Sequence, residues 1–207
     1  MDNYKVCVLN YGAGNVKSVY NMLLTMTDNV KISNAPEVIQ CASHIILPGV
    51  GSFGSSMEKI KNNIPLEVLS NEVLEKKKPF LGICVGMQVL ADIGFEFGNF
   101  QGLGWISGEV HKLNSLELPL PHIGWNNIEI IKDNPILSHF TSSQDFYFVH
   151  SYIFKPGIID FIVAETDYGE KFPSIINKGN IYGVQFHPEK SQKAGKILIE
   201  NFLRLYI

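Results

Sequence analysis

One cysteine in this sequence lies where a nucleophile could act. Cys84 ends an apolar, strand-like run that begins at Phe80, and apolar positions resume after it at helical spacing. Gly82 and Gly86 flank it two residues away on either side. This G-x-Cys-x-G pattern is typical of a nucleophile elbow, a tight strand-to-helix turn that needs small neighbours and exposes the nucleophile above a sheet. Residues 79–90 therefore predict a strand, a strained cysteine and a helix, although a buried cysteine in a glycine-rich turn would show the same pattern.

A cysteine nucleophile needs a base, and a histidine far along the chain can supply it. In YGVQFHPEKS, His187 follows an apolar stretch, and Glu189 stands two residues later. At the end of a strand this spacing can place the carboxylate against one imidazole nitrogen while the other nitrogen faces the thiol. Free cysteine, with a pKa near ~8.5, is mostly thiol at neutral pH, so such a base would activate it. A surface turn after a strand would explain HPE alone equally well.

A glycine-rich loop upstream could complete an oxyanion hole. PGVGSFGSS follows the apolar run from His44 to Leu47, so its glycines would free the backbone beyond the carboxyl end of a predicted strand. One backbone N–H from this loop and the N–H of Val85 would give the two donors that a tetrahedral intermediate needs. A plain glycine-rich turn is an equally good interpretation of this segment alone.

The order of predicted elements indicates an α/β fold. Strand and helix patterns alternate as far as the Cys84 helix, which is typical of a parallel, doubly wound sheet. From Gly102 onward, short β-like segments, among them DFYFVHSYIF, predict antiparallel strands added to the sheet edge, and SIINKGN–IYGVQF predicts a hairpin. A last helix is predicted from Ser191, its N-cap, to Tyr206. We expect one domain over residues 1–207, with a doubly wound, mostly parallel central sheet flanked by helices.

Composition narrows the class of protein. The chain has 207 residues, of which 45% are apolar, enough for a sizeable core. Its 17 basic and 20 acidic residues give a formal net charge of −3 without a basic stripe, which argues against nucleic-acid binding. Three widely spaced cysteines argue against a disulfide framework. A start without a leader pattern and the lack of an 18-residue apolar run predict a cytoplasmic protein that does not enter membranes.

Neither a metal nor a cofactor is expected. The six histidines show no metal-ligand spacing. Gly12 and Gly14 begin a dinucleotide-like pattern, but Lys17 stands where its third glycine belongs. The chemistry should therefore come from side chains.

The motifs resemble those of a known family. GICVGMQ around Cys84, the PGVG loop before it and FHPE a hundred residues later occur in the order found in class I glutamine amidotransferases, which use a Cys-His-Glu triad. LNYGAGNVKSV, ILPGVGSF, GLGWISGEV, PHIGWN, YFVHSY and GVQFHPEKS narrow the resemblance to the glutaminase subunits of imidazole glycerol phosphate synthase. It implies that glutamine is hydrolysed to glutamate and ammonia, and that the ammonia passes to a (β/α)₈ cyclase subunit. In this heterodimer the cyclase makes imidazole glycerol phosphate and AICAR for histidine biosynthesis.

The resemblance also implies roles for single residues. Cys84 matches the nucleophile, His187 the base and Glu189 its partner, while Gly51 and Val85 match the oxyanion-hole amides. Tyr147 and Lys190 match positions that face the cyclase, and Asn15 and Trp125 join them as expected interface residues because a triad does not need the YGAGN and PHIGWN turns. The positions matching glutamine-binding residues are Gly49, Gln88, Glu96, His150, Ser151 and Tyr152.

Two residues depart from the family's pattern. Asn10 stands where Asp is common before YG, and Val85 where Leu is common after the nucleophile. Neither change removes a catalytic group, but both leave open a paralogous glutaminase that feeds ammonia to a different synthase. A stand-alone thiol hydrolase and a non-catalytic partner subunit are further alternatives. The first would not need the exposed turns, and the second would not need a complete triad.

Overall fold

The computed structural model describes residues 5–140 and 143–205 and shows an α/β fold. The helices are α1 (Val16–Leu24), α2 (Pro36–Cys41), α3 (Phe53–Asn63), α4 (Leu66–Ser70), α5 (Val85–Gln88) and α6 (Gln192–Leu203). The strands are β1 (Val6–Val8), β2 (Val30–Ile32), β3 (His44–Gly49), β4 (Phe80–Cys84), β5 (Ile93–Gly94), β6 (Phe100–Gln101), β7 (Gly108–Lys112), β8 (His122–Ile130), β9 (Ser143–His150), β10 (Tyr152–Pro156), β11 (Ile162–Tyr168), β12 (Glu170–Lys178) and β13 (Ile181–Val184).

The central sheet has a parallel half and an antiparallel half. Among the described residues its nine strands are ordered β2-β1-β3-β4-β13-β12-β11-β8-β9. The first five pair in parallel, and the remaining four join antiparallel. β3, β4 and β13 are buried along their whole length, which explains their continuous apolar sequences. This confirms the predicted doubly wound α/β fold with antiparallel strands at its edge.

A second, smaller sheet was not predicted. Its four strands are ordered β10-β7-β5-β6. DFYFVHSYIF, interpreted from its sequence as one strand-like segment, divides at a bend at Ser151, so that β9 belongs to the central sheet and β10 to the second. Apolar alternation is the same on both sides of such a bend and cannot reveal it. The bend places the backbone of residues 150–152 at the junction of the two sheets.

The predicted hairpin is confirmed. β12 and β13 pair antiparallel with Lys178 opposite Ile181, which leaves Gly179 and Asn180 as a two-residue turn. Gly179 has a φ of 59°, in the left-handed region that such tight turns need.

The end of the chain differs from its prediction in one contact. α6 ends at Leu203, and Tyr206, the predicted helix end, lies outside the described residues. Ser191 is the N-cap residue of α6, as predicted, but its side chain makes no cap hydrogen bond. Its hydroxyl instead donates to the carbonyl of His187 at 2.6 Å and accepts from the N–H of Tyr147 at 3.0 Å. The serine thus ties the segment after β13 to β9.

Aromatic side chains also hold the segment after β13 in place. Phe186 is fully buried, and its ring stacks on Phe146 with centroids 3.9 Å apart. It also meets Phe148 edge-on at 5.6 Å, and Phe148 meets Phe172 at 6.0 Å. Such pairs contribute about 0.5–1.5 kcal/mol each beyond area burial. The residue after Phe186 is His187, so this cluster sets where the histidine leaves the sheet.

None of the described helices has the length and apolar character needed to cross a bilayer.

Candidate active site

Cys84 lies at the sharp turn between β4 and α5. Its backbone has φ 54° and ψ −113°, a conformation that non-glycine residues rarely adopt and that costs about 1–3 kcal/mol. Both flanking glycines are required sterically. A Cβ at Gly82 would lie 2.3 Å from the carbonyl oxygen of Gly86, and a Cβ at Gly86 would lie 2.0 Å from that of Leu47. The elbow predicted from the glycine spacing is present.

The helix after the elbow is shorter than predicted. α5 ends at Gln88 rather than Leu90. The carbonyl of Val89 accepts from the N–H of Leu103, and that of Leu90 accepts from Trp105. These carbonyls therefore bind a distant segment instead of continuing the helix, which local periodicity could not show.

His187 and Glu189 form a buried pair beside the cysteine. Nδ1 of His187 lies 2.9 Å from Oε1 of Glu189, and the two side chains are 4% and 1% exposed. Burial by itself lowers the pKa of His187, but hydrogen bonding and charge attraction to Cys84 and Glu189 outweigh it and raise the pKa to about 10. The site therefore favours an imidazolium when it faces a thiolate. Such an ion pair is what an activated cysteine needs.

Removing the sulfur should lower the pKa of His187. An opposite charge close to an ionisable group moves its pKa by about 1–3 pH units. The pKa of His187 should therefore fall by that much when the sulfur is removed in Cys84→Ala. An NMR titration of the imidazole measures it. Cys41→Ala, which removes an exposed thiol, is the matched control and should leave the value unchanged. An unaltered titration in Cys84→Ala would show that the thiol and imidazole are not coupled.

A cavity of about 160 Å³ opens at the sulfur of Cys84 and gathers most of the predicted site residues. Gly49 does not line it. This glycine is buried at the end of β3, where a Cβ would lie 2.3 Å from the backbone nitrogen of Gly86, so it supports the elbow from behind. The lining residues are Val50, Gly51, Cys84, Val85, Gln88, Glu96, Val149, His150, Ser151, Tyr152, His187 and Lys190.

The two predicted oxyanion donors meet at this cavity. Val85 is the first residue of α5, and Gly51 belongs to the exposed loop after β3. Gly51 has a φ of 96°, and a Cβ there would meet nothing within 4 Å. The loop is therefore constrained at this residue by backbone conformation rather than by packing.

Glu96 reaches the cavity from the second sheet region. Its Oε2 accepts from the N–H of Phe53 at 2.8 Å, at the start of α3. Burial raises the pKa of this carboxyl, while the hydrogen bond from Phe53 opposes that effect. The carboxylate is thus held at the cavity wall, in a position to meet a polar ligand.

Three of the four predicted interface residues form one group at the rim. Nζ of Lys190 lies 5.6 Å from the ring centroid of Tyr147, and the Tyr147 ring meets that of Trp125 edge-on at 6.0 Å. Trp125 is 48% exposed. Asn15 differs, because its Nδ2 donates to Oε1 of Glu189 at 3.1 Å. It contacts the carboxylate of the buried pair directly.

The sequence did not single out Gln185. This fully buried residue places Nε2 3.7 Å from the sulfur of Cys84. A polar residue within a buried strand-like run, two positions before His187, was the available signal, since residues i and i+2 of a strand share a face. The sequence also did not single out His122, whose Nδ1 lies 3.1 Å from Nε2 of the cavity residue His150.

Within the ranges 5–140 and 143–205, no group of three or more His, Cys, Asp or Glu side chains could hold a metal ion.

Comparison with known proteins shows which family the chain resembles in sequence. The family described as "Glutamine amidotransferase class-I" matches residues 7–205. Imidazole glycerol phosphate synthase subunit HisH of Methanocaldococcus jannaschii is 45% identical over 198 residues, which cover 96% of this chain and 98% of the relative. A HisH subunit of Campylobacter jejuni is 43% identical, with 97% of this chain and all of the relative covered.

Solved structures share the fold at low identity. The crystal structure of a glutamine amidotransferase aligns with a TM-score of 0.75 at 18% identity, covering 96% of this chain and 97% of the other. The structure of PurLQS from Thermotoga maritima aligns with a TM-score of 0.72 at 17% identity, covering 96% of each. These likenesses concern the fold alone.

Proposed function

Because the chain belongs to the class-I glutamine amidotransferases, with HisH subunits among its relatives over nearly its full length, we propose that it is the glutaminase subunit of imidazole glycerol phosphate synthase. It hydrolyses glutamine and delivers ammonia to a (β/α)₈ cyclase subunit in a heterodimer, in the cytoplasm and without nucleic acid or membrane. Residues 1–207 act as one amidotransferase domain. The observation that carries the proposal is the buried His187–Glu189 pair beside a strained cysteine at the cavity.

In the proposed reaction Cys84 is the nucleophile. Its thiolate attacks the side-chain carboxamide carbon of glutamine, and the carbonyl oxygen becomes an oxyanion facing the N–H groups of Gly51 and Val85. His187, which holds the thiol proton, gives it to the departing nitrogen as the C–N bond breaks. Ammonia and a γ-glutamyl thioester result. Water then attacks the thioester with His187 as base, which releases glutamate and restores the thiol.

Glu189 and the cavity wall position these steps. Glu189 accepts from Nδ1 of His187, so the other ring nitrogen is the one available to the thiol and the leaving group. Gln88, Glu96 and the backbone of residues 150–152 line the cavity where the glutamine would lie. Carboxylate and amide groups suit the amino-acid end of this substrate. A glutaminase assay with the cyclase subunit present tests the proposal, and a chain that releases no glutamate would overturn it.

The rim around the cavity is the proposed docking surface. Lys190, Tyr147 and Trp125 lie together there, and ammonia released into water would be protonated near neutral pH. A partner docked over Cys84 would keep the ammonia unprotonated. An interface of about 1,600 Å² in total would be ordinary for such a pair, with aromatic residues at its core and a polar rim.

Changing Lys190 should weaken docking and uncouple the two reactions. Lys190→Ala removes the charge above the Tyr147 ring and Lys190→Glu reverses it, so partner affinity should fall in the first variant and further in the second. The ratio of glutamine hydrolysed to product aminated should rise as ammonia escapes. Affinity and this ratio are measured together.

Lys77 provides the matched control for that experiment. It is exposed and lies three residues before β4, whereas Cys84 is at the other end of that strand. Lys77→Ala and Lys77→Glu make the same charge changes and should leave docking intact. If both Lys190 variants bind and couple like the wild type, the partner docks on another surface.

A further inference from the structure

A buried side-chain amide touches the sulfur of Cys84. Gln185 is fully buried, and its Nε2 lies 3.7 Å from Sγ. Such an amide presents N–H donors at one end and a carbonyl acceptor at the other. Which end faces the sulfur decides whether it favours or opposes a thiolate, and the two ends look alike in shape. The surrounding hydrogen bonds settle the question.

The orientation of Gln185 follows from a backbone carbonyl. The carbonyl oxygen of Tyr152 can only accept, so the end of Gln88 that lies 2.8 Å from it is Nε2. The same Nε2 lies 3.1 Å from the side chain of Gln185. Because Nε2 donates, the facing atom of Gln185 is its Oε1. The opposite end of Gln185 therefore presents an N–H to the sulfur of Cys84.

A histidine, His150, also donates to the Tyr152 carbonyl, and a second histidine, His122, orients the first. Nδ1 of His150 lies 3.1 Å from the Tyr152 oxygen and must donate to it, which leaves Nε2 to accept from Nδ1 of His122 at 3.1 Å. Nε2 of His122 in turn accepts from Nδ2 of Asn126 at 3.3 Å. Burial lowers the pKa of His150 to about 3 and that of His122 to about 4, so both rings are neutral near pH 7. The Tyr152 oxygen thus accepts from both Gln88 and His150. Every hydrogen bond in this side-chain network therefore has one possible direction.

We propose that Gln185 is a further catalytic residue, whose side-chain amide donates to the sulfur of Cys84 and stabilises the thiolate that attacks glutamine. This inference rests on the proposed function and adds a group outside the Cys-His-Glu triad. A thiolate at Cys84 needs such a donor because its sulfur also lies 3.7 Å from the carbonyl oxygen of Val149. That oxygen accepts from a thiol but repels a thiolate. Gln185 supplies an opposing N–H and, unlike His187, takes no proton during the reaction.

Gln185→Met tests the proposal, because methionine has nearly the same length and no donor. The rate at which iodoacetamide alkylates Cys84 is followed by mass spectrometry from pH 5 to 10. A hydrogen bond to a charged group is worth about 10- to 100-fold, so the rate at neutral pH should fall by that factor and the rise in rate should move to higher pH. In assays with the cyclase subunit, kcat should fall more than KM rises, since a group acting on the thiolate affects the chemical step.

Other titratable groups around the sulfur must be kept constant in this comparison. They are His187 and Glu189 after β13, Tyr11 from the loop after β1, and Glu96, His150 and Lys190 in the cavity wall. Ser174→Ala is the matched control. The carbonyl of Ser174 accepts from the Gln185 N–H, and its buried hydroxyl has no hydrogen-bond partner within the described residues. Removing this hydroxyl changes the packing beside Gln185 but should leave the alkylation profile as in the wild type.

A second measurement needs no change at Gln185. In ¹⁵N-labelled wild-type protein, one protected glutamine side-chain amide should shift over the pH range in which Cys84 becomes reactive, and it should stay fixed in Cys84→Ala. If wild-type Cys84 is not selectively alkylated and glutamine is not hydrolysed with the partner present, the proposed function fails. If both occur while Gln185→Met keeps the wild-type profile, or no amide follows the thiol, only this inference is overturned.

Discussion

Cys84→Ala should abolish glutamine hydrolysis and leave the fold intact. Removing the nucleophile of a triad typically lowers turnover by at least about 10⁴-fold, because the remaining groups only bind and polarise the substrate. Alanine has a Cβ like cysteine, so the strained backbone at φ 54° is no worse than before. The lost sulfur lies beside an open cavity rather than in the packed core. Stability should therefore change little.

Glutamate release with the cyclase subunit present, together with thermal unfolding, measures both parts of this prediction. Cys41 and Cys7 are the internal controls. Cys41 is exposed, whereas burial raises the pKa of the Cys7 thiol to about 12, which makes it unreactive. A glutamine-like electrophile should modify Cys84 alone. Turnover above a trace in Cys84→Ala, or modification of Cys7 or Cys41 in its place, would contradict the assignment of Cys84.

The sequence was sufficient where chemistry depends on local spacing. Gly82 and Gly86 predicted the elbow because a turn this tight leaves no room for a Cβ on either side. His187 and Glu189 could also be paired from local spacing, since side chains two residues apart at a strand end can hydrogen-bond each other. The alternation of strands and helices likewise predicted the parallel half of the sheet.

The sequence was insufficient where distant hydrogen bonds decide the structure. α5 stops at Gln88 because residues 103–106 occupy the carbonyls that would continue it. The bend at Ser151 sends β9 and β10 into different sheets, although their apolar pattern is continuous. Gln185 acquires its orientation only from Gln88 and the Tyr152 carbonyl, which lie far from it in the chain. The parts that could not be predicted are those built from side chains and carbonyls of different elements.

Glutamine hydrolysis by the isolated chain should be slow, and docking of the cyclase subunit with its ligand should raise it by about 10²–10³-fold. The glycines of the PGVG loop allow a peptide plane to turn, so that the Gly51 N–H faces either toward the thioester oxygen or away from it. One oxyanion donor is worth a factor of this size. A resting state without the Gly51 donor would hydrolyse glutamine slowly until the partner shifts the population toward the competent conformation. Full activity without the partner, unchanged when it is added, would contradict this prediction.

Gly51→Ala isolates the loop from the rest of the site. Turning this peptide plane requires both signs of φ at residue 51, and alanine disfavours the observed value of 96° by about 1–2 kcal/mol. A Cβ there would meet nothing within 4 Å, so packing is not disturbed. The stimulation by the partner should therefore shrink roughly tenfold. Gly179→Ala is the matched control, because Gly179 also has positive φ and open space but lies at the opposite end of β13 from His187. It should cost similar stability and leave the stimulation unchanged, whereas an equal loss in both variants would mean that the loop is no switch.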